Sequence, residues 1–394
     1  MVEYTRANGI GEQIKMIDQK KYFNTIQLHR RQYKYLYRKM LDKNIILQAY
    51  KNLRKGKTKR YEIKYIDAHL DEEIIKMQEM IYYTRPEFEN TPYEHLGFFS
   101  QTIKPKFILE HKKVRKIFMP EIHEQWLHHI IVLILYPIIY NRSYPYSCGS
   151  MPRRGAHYAK KFLQKKIRTN PYQYCFKADI RHFYNNIHKK TLIKYLRNRV
   201  NDDWFIYVIE RCLINFKKGL PLGFYISQWL ANFYLEDLDR YIISMGCIAY
   251  IRYMDDLVIY DNSKEHLQNM KHRIAKYLCR YRKVKLKNNW QVFQVNDNRA
   301  IDFMGFKFYP HKTIIRKSIM LGATRLAKKI YKHSKIQIKQ LLTCIRALLS
   351  YLGWFKYSNT KYCFWQYIGN LVQIGNIKKV VSSYDKMQRR LEVA

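Results

Sequence analysis

The chain has 394 residues, 47% of them hydrophobic, with 73 Lys+Arg against 31 Asp+Glu for a formal net charge of +42. That length allows one large multilobed unit or two to three domains with a real core. A charge this far from zero destabilises a compact chain by self-repulsion unless a polyanion neutralises it, so nucleic acid is the expected partner, and 36 Tyr and 19 Phe add faces on which bases can stack. A ribosomal-type basic protein would share this composition. The basic residues are spread along the whole chain, which argues against a membrane-surface role. No run of about eighteen apolar residues stands out as a transmembrane helix, and MVEYTRANGIGEQIKMIDQKK lacks an apolar signal core. The seven cysteines are scattered without a C-x-x-C pair, which argues for reduced thiols in a cytoplasm and against a zinc site.

Residues 1–95 are expected to be a basic, mostly helical extension, with a short amphipathic helix DEEIIKMQEMIYYTR ended by Pro86. Residues 97–119 alternate apolar and basic and predict a hairpin turning near Glu110–Lys113. PEIHEQWLHHIIVLILYPIIY reads as a buried helix beginning at Pro120. GSMPRRGAHY is a basic loop that leads into a helix, and FKADIRHFYNNI is a strand followed by a turn. HKKTLIKYLRN and DWFIYVIERCLINF are helices, and GLPLGFYISQWLANFYLEDLDRYI is a Gly-Pro loop feeding one long helix. CIAYIRY and LVIYD are strands flanking Met254-Asp255-Asp256, and Ser263 caps an amphipathic helix. KVKLKNNWQVFQV, AIDFMGFKFYP and KTIIRKS are strands with tight turns, and from about 323 the chain is helical again. Strands mixed with helices in the middle and helices at both ends make the fold class α+β rather than a doubly wound sheet.

The two aspartates of IAYIRYMDDLVIY are the anomaly, because an acid-poor chain sets them inside a hairpin of apolar strands. A plain turn would account for one of them, but MDD lacks the glycine that a type I′ turn prefers. A functional reading needs a converging carboxylate, and Asp179 in FKADIRHFY is the candidate. Carboxylates from neighbouring strands offer the hard oxygens that Mg²⁺ takes. Two such ions, roughly 3.5–4 Å apart, clamp the attacking and leaving oxygens of phosphoryl transfer.

Together these blocks resemble a bacterial reverse transcriptase. Tyr253-Met254-Asp255-Asp256 matches the family's Y-x-D-D signature, and Asp179-Ile180-Arg181-His182-Phe183-Tyr184 is similar to its first catalytic block. Residues 219–235 resemble its template- and nucleotide-positioning block, and Asp302-Phe303-Met304-Gly305-Phe306 its primer-grip hairpin. The blocks come in the family's order, and the resemblance spans roughly residues 40–360.

The resemblance implies a right-hand polymerase, with fingers and palm over 96–320 and a helical thumb and tail over 321–394. It implies that Asp179 and Asp255, with the Ile180 carbonyl and support from Asp256, hold two Mg²⁺ ions, for which Mn²⁺ can substitute. Lys287, with Lys285 as competitor, would protonate the departing pyrophosphate. Lys113 and Arg115 would bind the triphosphate of the incoming dNTP, with Gly223 and Gln228 beside its pocket. Tyr184, five residues after Asp179, would be the bulky gate against a ribose 2′-hydroxyl, which points to DNA rather than RNA synthesis. Phe303, Met304, Gly305 and Phe306 would hold the primer end, Arg153 and Arg154 the template backbone, and the aromatics of 348–365 the RNA/DNA hybrid.

Leu222, Gly223, Ser227 and Gln228 give L-G-x-x-x-S-Q, a form that resembles the enzymes of diversity-generating retroelements; the lineages of antiphage defence share such features. The chain ends about thirty residues after the thumb-like segment, so no RNase H, integrase or maturase part is expected. The expected partners are a structured RNA template recognised by shape and backbone, dNTPs, and an accessory protein or a second copy, with no membrane. The setting implied is the cytoplasm of a bacterium, with the enzyme encoded by the host or by a phage. An RNA-dependent RNA polymerase and a non-catalytic RNA-binding protein are the alternatives.

Overall fold

Helix Lys43–Arg54 shows how the N-terminal helices are specified. Asp42 caps it, its Oδ1 accepting from the Asn44 amide at 2.7 Å and from the Ile45 amide at 3.3 Å. Its apolar stripe of Ile46, Ala49, Tyr50 and Leu53 is buried. The computed structural model describes residues 33–98, 103–110, 113–332 and 338–393, and side chains for all of these except 110, 113 and 388–393. Contacts divide the chain into two units: residues up to 155 with 178–257 and 269–290, and residues 156–177 with 258–268 and 291–394.

In the first unit, helix Ile122–Tyr140 is the core element. Trp126 is fully buried; its ring packs 4.9 Å from that of Tyr50, and its Nε1 donates to the Ile46 carbonyl at 2.8 Å. This helix corrects the expectation that no segment is apolar enough to span a bilayer, because by length and composition it is. Most of it is instead buried in protein, including Leu127, Ile130, Ile131, Leu135 and Ile139, so its hydrophobicity is that of a core helix. β1 (Pro105–Glu110) and β2 (Lys113–Phe118) form the expected antiparallel hairpin, with Pro105 opposite Phe118 and Glu110 opposite Lys113; the turn at 111–112 lies outside the described residues. β3 (Ser147–Cys148) runs parallel to β5 (Ala249–Tyr253), and next in order come the start of β6 (Asp256–Asp261) and the end of β4 (Tyr174–Asp179). Ala249, Tyr250, Ile251 and Leu257 are almost fully buried, which is why these strands read as continuous apolar runs.

The segment expected to be one long helix breaks at Leu235 into Tyr225–Tyr234 and Glu236–Ser244. Leu235 has ψ 0, and Glu236, at the start of the second helix, is held by Arg199 at 3.2 Å and by Arg240. The expected strand over KVKLKNNWQVFQV shortens to β7 (Gln291–Gln294). Helix Lys264–Tyr277 continues into a π-helical turn, Leu278–Arg282, and Lys283 leaves it in the left-handed region at φ 54, which breaks the strand pattern.

In the second unit, Tyr174–Lys177 of β4 pairs antiparallel with β7, Cys175 facing Phe293. β8 (Ile301–Phe303), β9 (Phe306–Phe308) and β10 (Thr313–Ile315) form an antiparallel meander. The helical stretch begins with Lys317–Tyr331, earlier than expected, and continues through Ile338–Lys356 and Ile374–Val393.

Candidate active site

The carboxylates meet through backbone hydrogen bonds of the first unit. Asp179 ends β4; Asp255 lies in the tight turn between β5 and β6, and Asp256 opens β6. The Ile180 amide donates to the Asp255 carbonyl at 3.2 Å, which locks the two segments together. On the other side Ile180 bridges antiparallel to Leu286, and the Lys287 amide donates to the Asp179 carbonyl at 2.8 Å. In that register Lys287, not Lys285, forms an ion pair with Asp179 through Oδ2.

The other Asp179 oxygen, Oδ1, is buried without a hydrogen-bond partner. Burial pushes the Asp255 carboxyl up to about 7, and the neighbouring charges of Asp179 and Asp256 push the same way. Crowded hard-oxygen donors, one of them unsatisfied, fit a divalent cation. Among the described residues no three or more His, Cys, Asp and Glu side chains stand gathered as a ready ligand set, and Lys287 supplies a positive charge at Asp179. The Asp255 carboxyl starts from an ordinary value of 3.8, so the stability linked to it is fully present below that pH and is lost as pH rises through about 7. Urea midpoints measured in EDTA should fall between about pH 4 and pH 7, and Asp255→Asn should flatten that slope.

A cleft of about 1180 Å³ opens over these groups. Asp179, Asp255, Asp256, Lys287, Tyr184 and Arg115 all line it. Lys113 begins β2, but its side chain lies outside the described residues. Lys116, Lys217 and Lys218 also line the cleft and were missed; the signals available were the basic β2 stretch KVRKIF for Lys116 and the run NFKKGLP before the glycine loop for Lys217 and Lys218. Burial also raises the pKa of the Tyr184 hydroxyl, and the Asp255 charge adds to it.

Gly223 and Gln228 are not among the cleft-lining residues. Gln228 is exposed on helix Tyr225–Tyr234. Gly223 has φ +103, and a Cβ there would overlap the Phe118 carbonyl oxygen, while the Phe118 amide donates to the Leu222 carbonyl at 2.7 Å. Its glycine therefore lets β2 close onto the loop. Gly223→Ala should destabilise the protein by about 1–3 kcal/mol, seen as a lower melting temperature. Arg154 donates to Ser143 Oγ at 2.6 Å and to the Tyr144 carbonyl at 3.1 Å and lies over the Tyr140 ring, so its guanidinium is engaged inside the first unit.

Phe303, Met304, Gly305 and Phe306 belong to the second unit, where they form the β8–β9 hairpin. Phe303 and Phe306 are buried, and Gly305, at φ +81, would bring a Cβ to 2.7 Å from the Trp354 ring. Asp302 is paired with Arg316 at 2.5 Å.

Arg252 was also missed, although an arginine inside the apolar run IAYIRY was a visible irregularity. It is 1% exposed and grips the fully buried Asp239 through Nε at 2.7 Å and a terminal nitrogen at 2.6 Å. The other terminal nitrogen donates to Asn232 Oδ1 at 3.1 Å and to the Met254 carbonyl at 2.9 Å. Met254 has φ 56, a left-handed conformation that a non-glycine residue seldom adopts. The buried guanidinium thus holds the turn that carries Asp255.

The family model described as reverse transcriptase (RNA-dependent DNA polymerase) matches residues 104–308. Protein YkfC of Escherichia coli K12 is 21% identical over 280 residues, which cover 59% of this chain and 71% of YkfC. The group II intron-encoded protein LtrA of Lactococcus lactis subsp. cremoris is 24% identical over 225 residues, covering 53% of this chain and 35% of LtrA. A telomerase structure from Candida albicans, in complex with a fragment of telomeric RNA, is 12% identical with a TM-score of 0.40, covering 66% of this chain and 54% of that chain. The family match spans more than half of the 394 residues and contains Asp179, Asp255, Asp256 and Lys287, so the chain belongs to the reverse transcriptase family, RNA-directed DNA polymerases of the right-hand α+β fold.

Proposed function

We propose that this protein copies a dedicated RNA into DNA by metal-dependent nucleotidyl transfer in the cleft over Asp179 and Asp255. The observation that carries the reading is the buried, unpartnered Asp179 Oδ1 beside the crowded Asp255 carboxyl, at the floor of a cleft lined by Arg115, Lys116, Lys217 and Lys218. Asp179 and Asp255, with the Ile180 carbonyl and with Asp256 in support, are the groups that would hold Mg²⁺. Bound there, two divalent ions supply Lewis-acid activation of the primer 3′-hydroxyl and charge compensation at the phosphate. Arg115 and the cleft lysines hold the triphosphate, where fixed cations stabilise the charge that develops during transfer. Lys287, which pairs with Asp179, would give a proton to the departing pyrophosphate. The Phe303–Phe306 hairpin grips the primer end, within a division into a basic N-terminal extension, fingers and palm over 96–320, and a thumb beyond.

Tyr184 fills the space beside the sugar and excludes a 2′-hydroxyl. Primer extension on an RNA template tests the whole reading: the purified protein with Mg²⁺ should incorporate dNTPs in strong preference to rNTPs. Tyr184→Ala should cut that preference by roughly tenfold or more, since a steric discrimination of about 1.4 kcal/mol is a factor of ten. An enzyme that uses rNTPs as readily as dNTPs before substitution would sink the DNA-synthesis reading.

The template is proposed to be a structured RNA of a bacterial retroelement or of antiphage defence, read by shape and backbone rather than by base sequence. The L-G-x-x-x-S-Q form of residues 222–228 supports that setting. All seven cysteines are free thiols, which supports a reducing compartment.

A further inference from the structure

Helix Lys264–Tyr277 ends in a π-helical turn, Leu278–Arg282, a local widening found often at functional sites. Its end builds a second groove in the first unit, of about 490 Å³, that shares no lining residue with the catalytic cleft. Three tyrosines line it. Tyr241 and Tyr277 stack at 4.6 Å and 17°, and Tyr281 adjoins Tyr277 at 5.0 Å. The rest of the lining is Arg273, Lys276 and Arg280, and no carboxylate joins it.

Arg273 Nε donates to the Tyr241 hydroxyl at 3.3 Å, and the Arg280 guanidinium lies 5.6 Å from the Tyr281 ring centroid. Tyr281 is 46% exposed, so a large aromatic face is open to solvent. Asp237, on the helix that carries Tyr241, is already neutralised by Arg240 and Arg282 at 2.9 Å each. The groove is therefore cationic as well as aromatic.

We infer that this groove binds a single-stranded segment of RNA, with a base stacked on Tyr281 and phosphates held by Arg273, Lys276 and Arg280. The open Tyr281 ring beside these cations suits an unpaired base, whereas a duplex would offer only its phosphates to the cations and nothing to the ring. The inference rests on the RNA-templated reading above, and it adds a docking site apart from the place of chemistry. Such a site would keep one part of an RNA anchored while another part is copied.

The test uses the full-length protein with its cleft saturated by a short RNA-template/DNA-primer duplex, and a labelled single-stranded 12-nucleotide adenylate RNA as probe. Tyr281→Ala should weaken probe binding about tenfold, the effect expected for one base stack. Arg273→Gln with Arg280→Gln should weaken it further and flatten the dependence of log affinity on log salt by roughly 0.7 for each phosphate that is no longer neutralised. Extension of the short primer should be unchanged in every variant. Equal probe affinity in wild type and variants would overturn the site. So would the same weakening for a blunt RNA duplex, which would mean a merely basic face, or binding of phosphatidylglycerol vesicles in place of the probe. Failure of primer extension in the wild type, with probe binding still sensitive to these substitutions, would overturn the polymerase reading and leave the groove standing.

Discussion

Asp255→Ala should abolish dNTP incorporation, by at least about a thousandfold, while RNA binding stays within a factor of about two. The first number follows from losing a group whose negative charge holds the cations of the reaction, an effect of roughly 4 kcal/mol or more on the barrier. The second follows because the RNA is held by phosphates meeting Lys and Arg, and the substitution removes no cation. The fall in activity should come with a gain in stability in EDTA near neutral pH, because a buried carboxyl held up to about 7 opposes folding once it ionises. Primer extension, filter binding and urea unfolding on one preparation would check all three. A variant that polymerises at even a tenth of the wild-type rate would show that the site has been misplaced.

Arg252→Ala should cost about 3–5 kcal/mol of stability, the effect seen when one partner of a buried ion pair is removed. It leaves Asp239, 0% exposed, without the two nitrogens that hold its oxygens, and it removes the donor to the Met254 carbonyl and to Asn232 Oδ1 at once. The paired substitution Arg252→Met with Asp239→Leu separates folding from positioning. An apolar pair of similar volume can replace a buried ion pair at little cost, so most of the stability should return. Activity should not, because nothing then donates to the Met254 carbonyl and the left-handed turn under Asp255 is released. Recovery of both would reduce Arg252 to a packing residue, with no role in aiming the carboxylate.

The two predictions divide along what could be read before the fold was known. Asp179, Asp255 and Asp256 stood out because chemistry restricts residue type: carboxylates among apolar strands of a +42 chain ask for a cationic partner. The α+β class was visible because alternation and helical spacing are local properties of the chain. The hairpin β1–β2 and the helix that Ser263 caps, its Oγ accepting from the His266 amide at 3.1 Å, were legible for the same reason.

The choice of Lys287 over Lys285 came only from the backbone register that sets 285–287 against 179–181, since both lysines lie in the same basic stretch. Lys116, Lys217 and Lys218 gained their place at the cleft from the closure of β2 onto the glycine loop, and Gly223 serves that closure through its approach to the Phe118 carbonyl. The break at Leu235 and the π-turn at Leu278–Arg282 also lie where distant segments meet: Arg199 reaches Glu236 beside the break, and Arg282 of the π-turn reaches Asp237. Residue type along one chain determined the chemistry and the class of structure. Which of many similar cations and aromatics meet was decided by strand register and burial, which no local stretch of sequence contains.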